Sequence, residues 1–130
     1  MHHTPATLLL QDPPLIKVFG IPNCDTVKKA RQWLQLRELA HEFHDFKKQG
    51  VPAPRLPHWS AQVGWEKLVN RKGSTWRQLD LSVQASLIDE ASAHALMSQH
   101  PSVIKRPVVE WHDGRVTVGF NPDEWAEHGR

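Results

Sequence analysis

The chain has 130 residues, 39% hydrophobic and 23% charged, with a formal net charge of +2. Length and composition point to a globular chain that can bury a core without disulfide or metal staples, and exclude a fibrous or disordered one. The charge is too small and too evenly interleaved for a nucleic-acid surface, its local clusters being Lys28-Lys29, Lys47-Lys48 and Arg71-Lys72, and no apolar run approaches the ~20 residues that cross a bilayer.

Residues 1–14 lack periodicity and end in Pro13-Pro14, which predicts a flexible arm ahead of a single domain over 15–130. Within the arm, Leu8-Leu9-Leu10 is flanked by neither a basic segment nor a small-residue cleavage site, so no secretory signal is expected. Leu15 to Phe19, closed by Gly20 and Pro22, reads as a buried strand and a turn. From Asp25 the period changes: Val27, Ala30, Trp33 and Leu34 fall on one face of a helix of about 14 residues. His41 to Phe46, anchored by Phe43 and Phe46, reads as a second strand, and so short a strand–helix–strand run predicts a parallel pair.

A helical insert is expected over about residues 52–100. Leu56, Trp59 and Val63 form one stripe ending at Gly64, and Trp65, Leu68 and Val69 form a short turn stopped near Gly73. Ser82 reads as the N-cap of a helix carrying Leu87 and Ile88, and Ala93, Leu96 and Met97 mark another before His100-Pro101. The β-branched runs Val108–Trp111 and Val116–Val118 flank an Asp-Gly turn at Asp113-Gly114, the strongest hairpin signal in the chain. Asn121-Pro122 then opens a last helix that buries Trp125. The order βαβ, helical insert, ββα predicts an α/β fold: a four-stranded mixed sheet with helices on its faces, the thioredoxin-like layout.

The single cysteine excludes an intramolecular disulfide framework and points to a reduced, cytoplasmic setting. Cys24 stands one residue before the first helix, where unpaired backbone N–H groups and the positive end of the helix dipole favour an anionic sulfur. The thiolate is the nucleophile, and an unperturbed thiol, with a pKa of roughly 8.5, is mostly protonated at neutral pH. A lone cysteine is otherwise a small buried hydrophobe. Asp25 beside it disfavours the thiolate unless it turns to solvent or caps the helix. Val27 occupies the place of a second cysteine in a Cys-x-x-Cys pair, so resolution of a disulfide requires an external thiol. The histidines have no metal-ligand spacing: His41 and His44 lie three apart on a predicted strand and point to opposite faces, and no metal site is expected. The six tryptophans read as packing groups.

The segments IKVFGIPNCDTVKKA (16–30), WEKLVNRKGSTW (65–76) and IKRPVV (104–109) resemble the arsenate reductase-related (ArsC/Spx) family, and within it the subgroup called YffB, over about residues 15 to 125. The resemblance implies a thioredoxin-like fold with a helical insert. Carried over by position, it assigns the nucleophile to Cys24 and two oxyanion-binding arginines to Arg71 and Arg106, while the third arginine position holds Asn121 and the family histidine position holds Gly20. The candidate catalytic residues are therefore Cys24, Arg71 and Arg106, and the candidate substrate-binding residues are Asn23, Asp25, Thr26, Pro107 and Asn121. The Arg106–Pro107 bond is expected to be cis, as a proline opening this strand is in such folds.

The function this implies is a glutathione-dependent thiol reductase resembling arsenate reductase. Cys24 forms a mixed disulfide, no cofactor stays bound, glutathione or another small thiol is co-substrate, and the arginines also suit the carboxylates of glutathione. The alternative is an Spx-like adaptor that binds the RNA polymerase α subunit without catalysis. A monomer with no nucleic-acid or membrane partner is expected.

Overall fold

The computed structural model describes residues 15–129; the arm expected over 1–14 lies outside the described residues. Four strands form one sheet: β1 (Ile16–Gly20), β2 (His41–Asp45), β3 (Val108–Glu110) and β4 (Val116–Val118), in the order β2-β1-β3-β4. β1 and β2 run parallel, with Ile16 opposite His41, whereas β1–β3 and β3–β4 are antiparallel, with Phe19 opposite Val108 and Val108 opposite Val118. This is the mixed sheet of the thioredoxin-like layout.

Between β1 and β2 runs α1 (Asp25–Leu36), 12 residues long, whose buried face consists of Val27, Ala30, Trp33 and Leu34. Between β2 and β3 lie α2 (Phe46–Gln49), α3 (Leu56–Val63), α4 (Trp65–Leu68), α5 (Ser74–Gln78), α6 (Leu81–Ala85) and α7 (Glu90–Gln99), with 3-10 turns at Ala53–Arg55 and Pro101–Val103. After β4 the chain ends in α8 (Pro122–His128). Among the described residues no helix is long and apolar enough to cross a membrane.

Strand alternation divides the core in two, because successive residues face opposite sides of a sheet. Ile16 and Val18 of β1 and Val109 of β3 pack with Trp33, Leu34, Trp111 and Trp125 on the side of α1 and α8. Phe19 and Val108 face the other way and pack with Phe46, Leu56, Trp59, Leu68 and Met97 under the insert. Two of the buried indoles find partners: Trp111 Nε1 donates to Thr117 Oγ1 at 3.0 Å, and Trp59 Nε1 donates to Glu110 at 2.8 Å. Arg55 holds the other oxygen of that carboxylate at 2.6 Å, so Glu110 stays ionically paired at the edge of a hydrophobic layer.

Two local readings of the sequence need correction. β2 stops at Asp45, and Phe46 begins a helix, because the Asp45 carboxylate accepts from the Lys47 N–H at 2.8 Å and caps a single helical turn. Ser82 does not cap a helix carrying Leu87 and Ile88. It lies inside α6, whose N-cap is Asp80, and Ile88 is exposed. The reason is the next helix: the Ser92 hydroxyl accepts from the N–H groups of Ile88 and Asp89, while Asp89 accepts from the Ser92 N–H at 2.9 Å. That reciprocal capping box ties residues 88–89 to the start of α7 and breaks the chain before it.

The hairpin forms as the sequence predicts. Trp111 N–H donates to Arg115 O and Gly114 N–H to Trp111 O, and Gly114 has φ 89°, the positive value that a glycine supplies without strain.

Candidate active site

Cys24 ends the β1–α1 turn as the N-cap of α1, with extended backbone (φ −144°, ψ 123°), and its carbonyl accepts the first helical bond from Lys28 N–H at 2.9 Å. The half-buried thiol forms no side-chain cap of ordinary geometry, but it lies against the free end of the helix. Partial burial is the largest single influence on its ionisation and raises the pKa. It is outweighed by the backbone N–H of Val27, the Arg106 guanidinium as donor and as charge, and the backbone N–H of Thr26, so the thiol sits below its ordinary value.

Gly20 marks where the Arg106 segment passes the end of β1. A Cβ built on Gly20 would lie 3.0 Å from Val27 Cγ2 and 3.9 Å from Arg106 Cβ, so the end of β1 is sandwiched between the first turn of α1 and the strand-entry segment. The missing side chain lets Val27 of α1 approach, while the distance to Arg106 is an ordinary van der Waals contact. Arg106 is held from behind by Ser102, whose carbonyl accepts from its Nη1 at 2.8 Å, and its buried Nε has no hydrogen-bond partner among the described residues. The Arg106–Pro107 bond is cis, as expected.

Around the sulfur opens a cavity of about 390 Å³ lined by Cys24, Thr26, Asn70, Lys105, Arg106, Val118, Gly119, Phe120 and Asn121. Of the sequence-derived site residues, Cys24, Thr26, Arg106 and Asn121 meet here. Asn121 lines the wall while its Oδ1 is occupied as the cap of α8, accepting from Asp123 N–H at 3.0 Å and Glu124 N–H at 3.3 Å. Asn23 and Asp25 are exposed and outside the lining. Pro107 is buried and outside the lining, and its carbonyl accepts from Gly119 N–H at 2.9 Å.

Arg71 lies outside the lining of the Cys24 cavity and is not among the groups that lower the thiol's pKa. It is exposed and lines an adjoining cavity, its guanidinium 5.9 Å from the Trp65 ring and 5.7 Å from the Trp76 ring. The turn Asn70–Gly73 directs it there. Asn70 Oδ1 accepts from Lys72 N–H at 3.2 Å and Asn70 O from Gly73 N–H at 3.2 Å, so the residue that turns into the Cys24 cavity is Asn70, one position earlier.

Sequence reasoning missed Val118, Gly119 and Phe120 of the lining and two of its polar side chains, Asn70 and Lys105. Each of these two is next to a residue it did single out, and the signal was the pairing of the two segments: Asn70 N–H donates to Val103 O and Lys105 N–H to Leu68 O, both at 2.7 Å. Among the described residues no cluster of His, Cys, Asp and Glu could hold a metal ion.

A model of the ArsC family matches residues 19–128. An uncharacterised protein of Haemophilus influenzae is 41% identical over 111 residues, covering 85% of this chain and 96% of its own length. The global transcriptional regulator Spx of Streptococcus agalactiae serotype V is 29% identical over 119 residues, covering 85% of this chain and 80% of its own. The solved structure of a protein called YFFB superposes with a TM-score of 0.83 at 45% identity, over 88% of this chain and 99% of that one.

Proposed function

The chain belongs to the ArsC family, and on that premise we propose that it is a thiol-dependent oxidoreductase with Cys24 as nucleophile and glutathione as the external reductant. The observation that carries this reading is the lowered pKa of a half-buried thiol at a helix N-terminus, facing an arginine and an open cavity. A thiol placed only for packing has no use for any of these.

In the proposed cycle the Cys24 thiolate attacks an oxidised sulfur of the substrate. A Cys24–substrate disulfide forms, the substrate's own sulfur–sulfur bond breaks, and the departing thiolate takes a proton from solvent. A glutathione thiolate then attacks the mixed disulfide. Attack at the Cys24 sulfur releases the reduced substrate as a thiolate that solvent protonates and leaves a Cys24–glutathione disulfide, and attack by a second glutathione thiolate on its glutathione sulfur returns Cys24 as thiolate and releases oxidised glutathione. No second cysteine is needed, in keeping with the count of one. Arg106 acts on the nucleophile throughout, and the Thr26 and Val27 amides compensate charge on the sulfur.

The test is mass spectrometry after incubation with oxidised glutathione. A tripeptide adduct confined to Cys24, and diminished in Arg106→Ala, supports the reading. No adduct on folded protein, or equal adduct in wild type and Arg106→Ala, refutes the assignment.

The 29% identity to a protein named a global transcriptional regulator favours a second reading, an adaptor that binds the RNA polymerase α subunit. A pull-down with the polymerase α C-terminal domain separates the two: retention of Cys24→Ser protein as strong as wild type supports the adaptor, and no retention removes it.

A further inference from the structure

We infer that the oxidised substrate of Cys24 is an anionic disulfide whose charged end docks in a second cavity beside the thiol; the inference rests on the thiol chemistry proposed above. The second cavity, of about 450 Å³, shares Asn70, Lys105 and Val118 with the cavity around the sulfur, so the two are neighbours with a common wall. Its lining gathers Lys67, Arg71, Lys72 and Lys105 against a single acid, Glu66. Among the described residues none of these four cations forms a salt bridge; the ion pairs are Arg55–Glu110 and Arg115–Asp113.

The fold collects these charges from separate segments. Lys67 belongs to α4, and Arg71 and Lys72 lie in the turn closed by Asn70. Lys105 is brought alongside by the bridge between Val69 and Ile104. Four cations against the one carboxylate of Glu66 leave a net positive lining whose charges repel one another, and a bound anion relieves that repulsion beside the apolar wall of Val69 and Val118. A small oxyanion at the sulfur would leave this second cavity unused. A molecule with its sulfur at Cys24 and a carboxylate over the lysines fills both.

The chemical step balances without another oxidant. The Cys24 thiolate attacks the nearer sulfur of R–S–S–R, the Cys24–S–S–R bond forms as the original S–S bond breaks, and R–S⁻ leaves and is protonated by solvent. The disulfide is reduced and Cys24 is oxidised. The retained half stays anchored through its anionic group.

The experiment measures the rate of disulfide exchange of reduced protein with dithiodipropionic acid (anionic), hydroxyethyl disulfide (neutral) and cystamine (cationic). Each rate is divided by that of a neutral small thiol with the same reagent, which removes differences in intrinsic reactivity. Expected is a preference of about tenfold for the anionic over the neutral disulfide at low salt, with cystamine slowest, narrowing as salt rises. Lys67→Gln/Lys72→Gln collapses the anionic-to-neutral ratio toward one. Lys47→Gln/Lys48→Gln, the same change in net charge on α2, leaves it in place. Equal normalised rates for the three reagents, or the same ratio in both double variants, overturn the second cavity as the docking site while leaving the thiol chemistry standing. Failure of Cys24 to exchange with any of the three overturns the thiol chemistry and this inference together.

Discussion

Val69 and Ile104 pair as an isolated antiparallel bridge outside the main sheet, and that bridge sets Asn70 and Lys105 on one wall of the cavity around Cys24. It joins the helical insert to the segment entering β3, two parts of the chain with no other strand pairing between them. Both bridge residues are buried, Ile104 at 0% and Val69 at 3% exposure, so the bridge is anchored by packing as well as by its hydrogen bonds.

Ile104→Ala removes a buried branched side chain from beneath the insert and is expected to cost about 2–5 kcal/mol. Urea unfolding reads this as a lower midpoint at unchanged slope. A loss below about 0.5 kcal/mol, the size of an ordinary surface substitution, would mean that the segment is not packed as described.

Gly20 and Val27 are expected to be coupled. Gly20→Ala places a methyl 3.0 Å from Val27 Cγ2, a tight contact to which the buried Val27 side chain must give way, at a cost of about 1–3 kcal/mol. Val27→Ala, at a fully buried position, leaves a cavity and is destabilising alone. In the double variant the new methyl occupies part of that cavity, so the double loss is smaller than the two single losses added. Strict additivity in chemical unfolding would contradict the close approach.

How far the sequence foretold this site depended on the range of the interaction. The β1–turn–α1 junction was legible because its cues are local: the period changes at Asp25, Gly20 and Pro22 end the strand, and Val27, Ala30, Trp33 and Leu34 repeat at helical spacing. The hairpin at Gly114 and the cap at Asn121 were legible for the same reason. Which cation reaches Cys24 was not, since Arg106 and Arg71 sit in equally plausible short motifs. The choice is made by tertiary arrangement: the Arg106 segment passes the end of β1 beside the first turn of α1, and the Asn70–Gly73 turn directs Arg71 toward Trp65 and Trp76. The break before α7 was also hidden, because Asp89 and Ser92 cap each other while Ser82 offers an equally good local signal.

Asn121 is expected to act as a helix cap. Asn121→Ala leaves the Asp123 and Glu124 N–H groups without their acceptor and costs about 1 kcal/mol of stability, and Asn121→Ser, which keeps an acceptor, recovers most of it. Thermal unfolding of the two variants checks this. Equal stability of Asn121→Ala and wild type would show that the cap contributes nothing.

The most direct test of the account is the pH dependence of Cys24 alkylation by iodoacetamide in wild type, Arg106→Gln and Arg71→Gln. Because folding favours the deprotonated thiol, the rate should rise through a midpoint below the roughly 8.5 of a free cysteine. Arg106→Gln removes a charge that lowers the pKa but leaves the burial that raises it, so its midpoint moves up, whereas Arg71→Gln stays with wild type. A wild-type midpoint at or above that of free cysteine, or an Arg106→Gln profile that overlays wild type, would contradict the claim that Arg106 and the end of α1 lower the pKa of the sulfur.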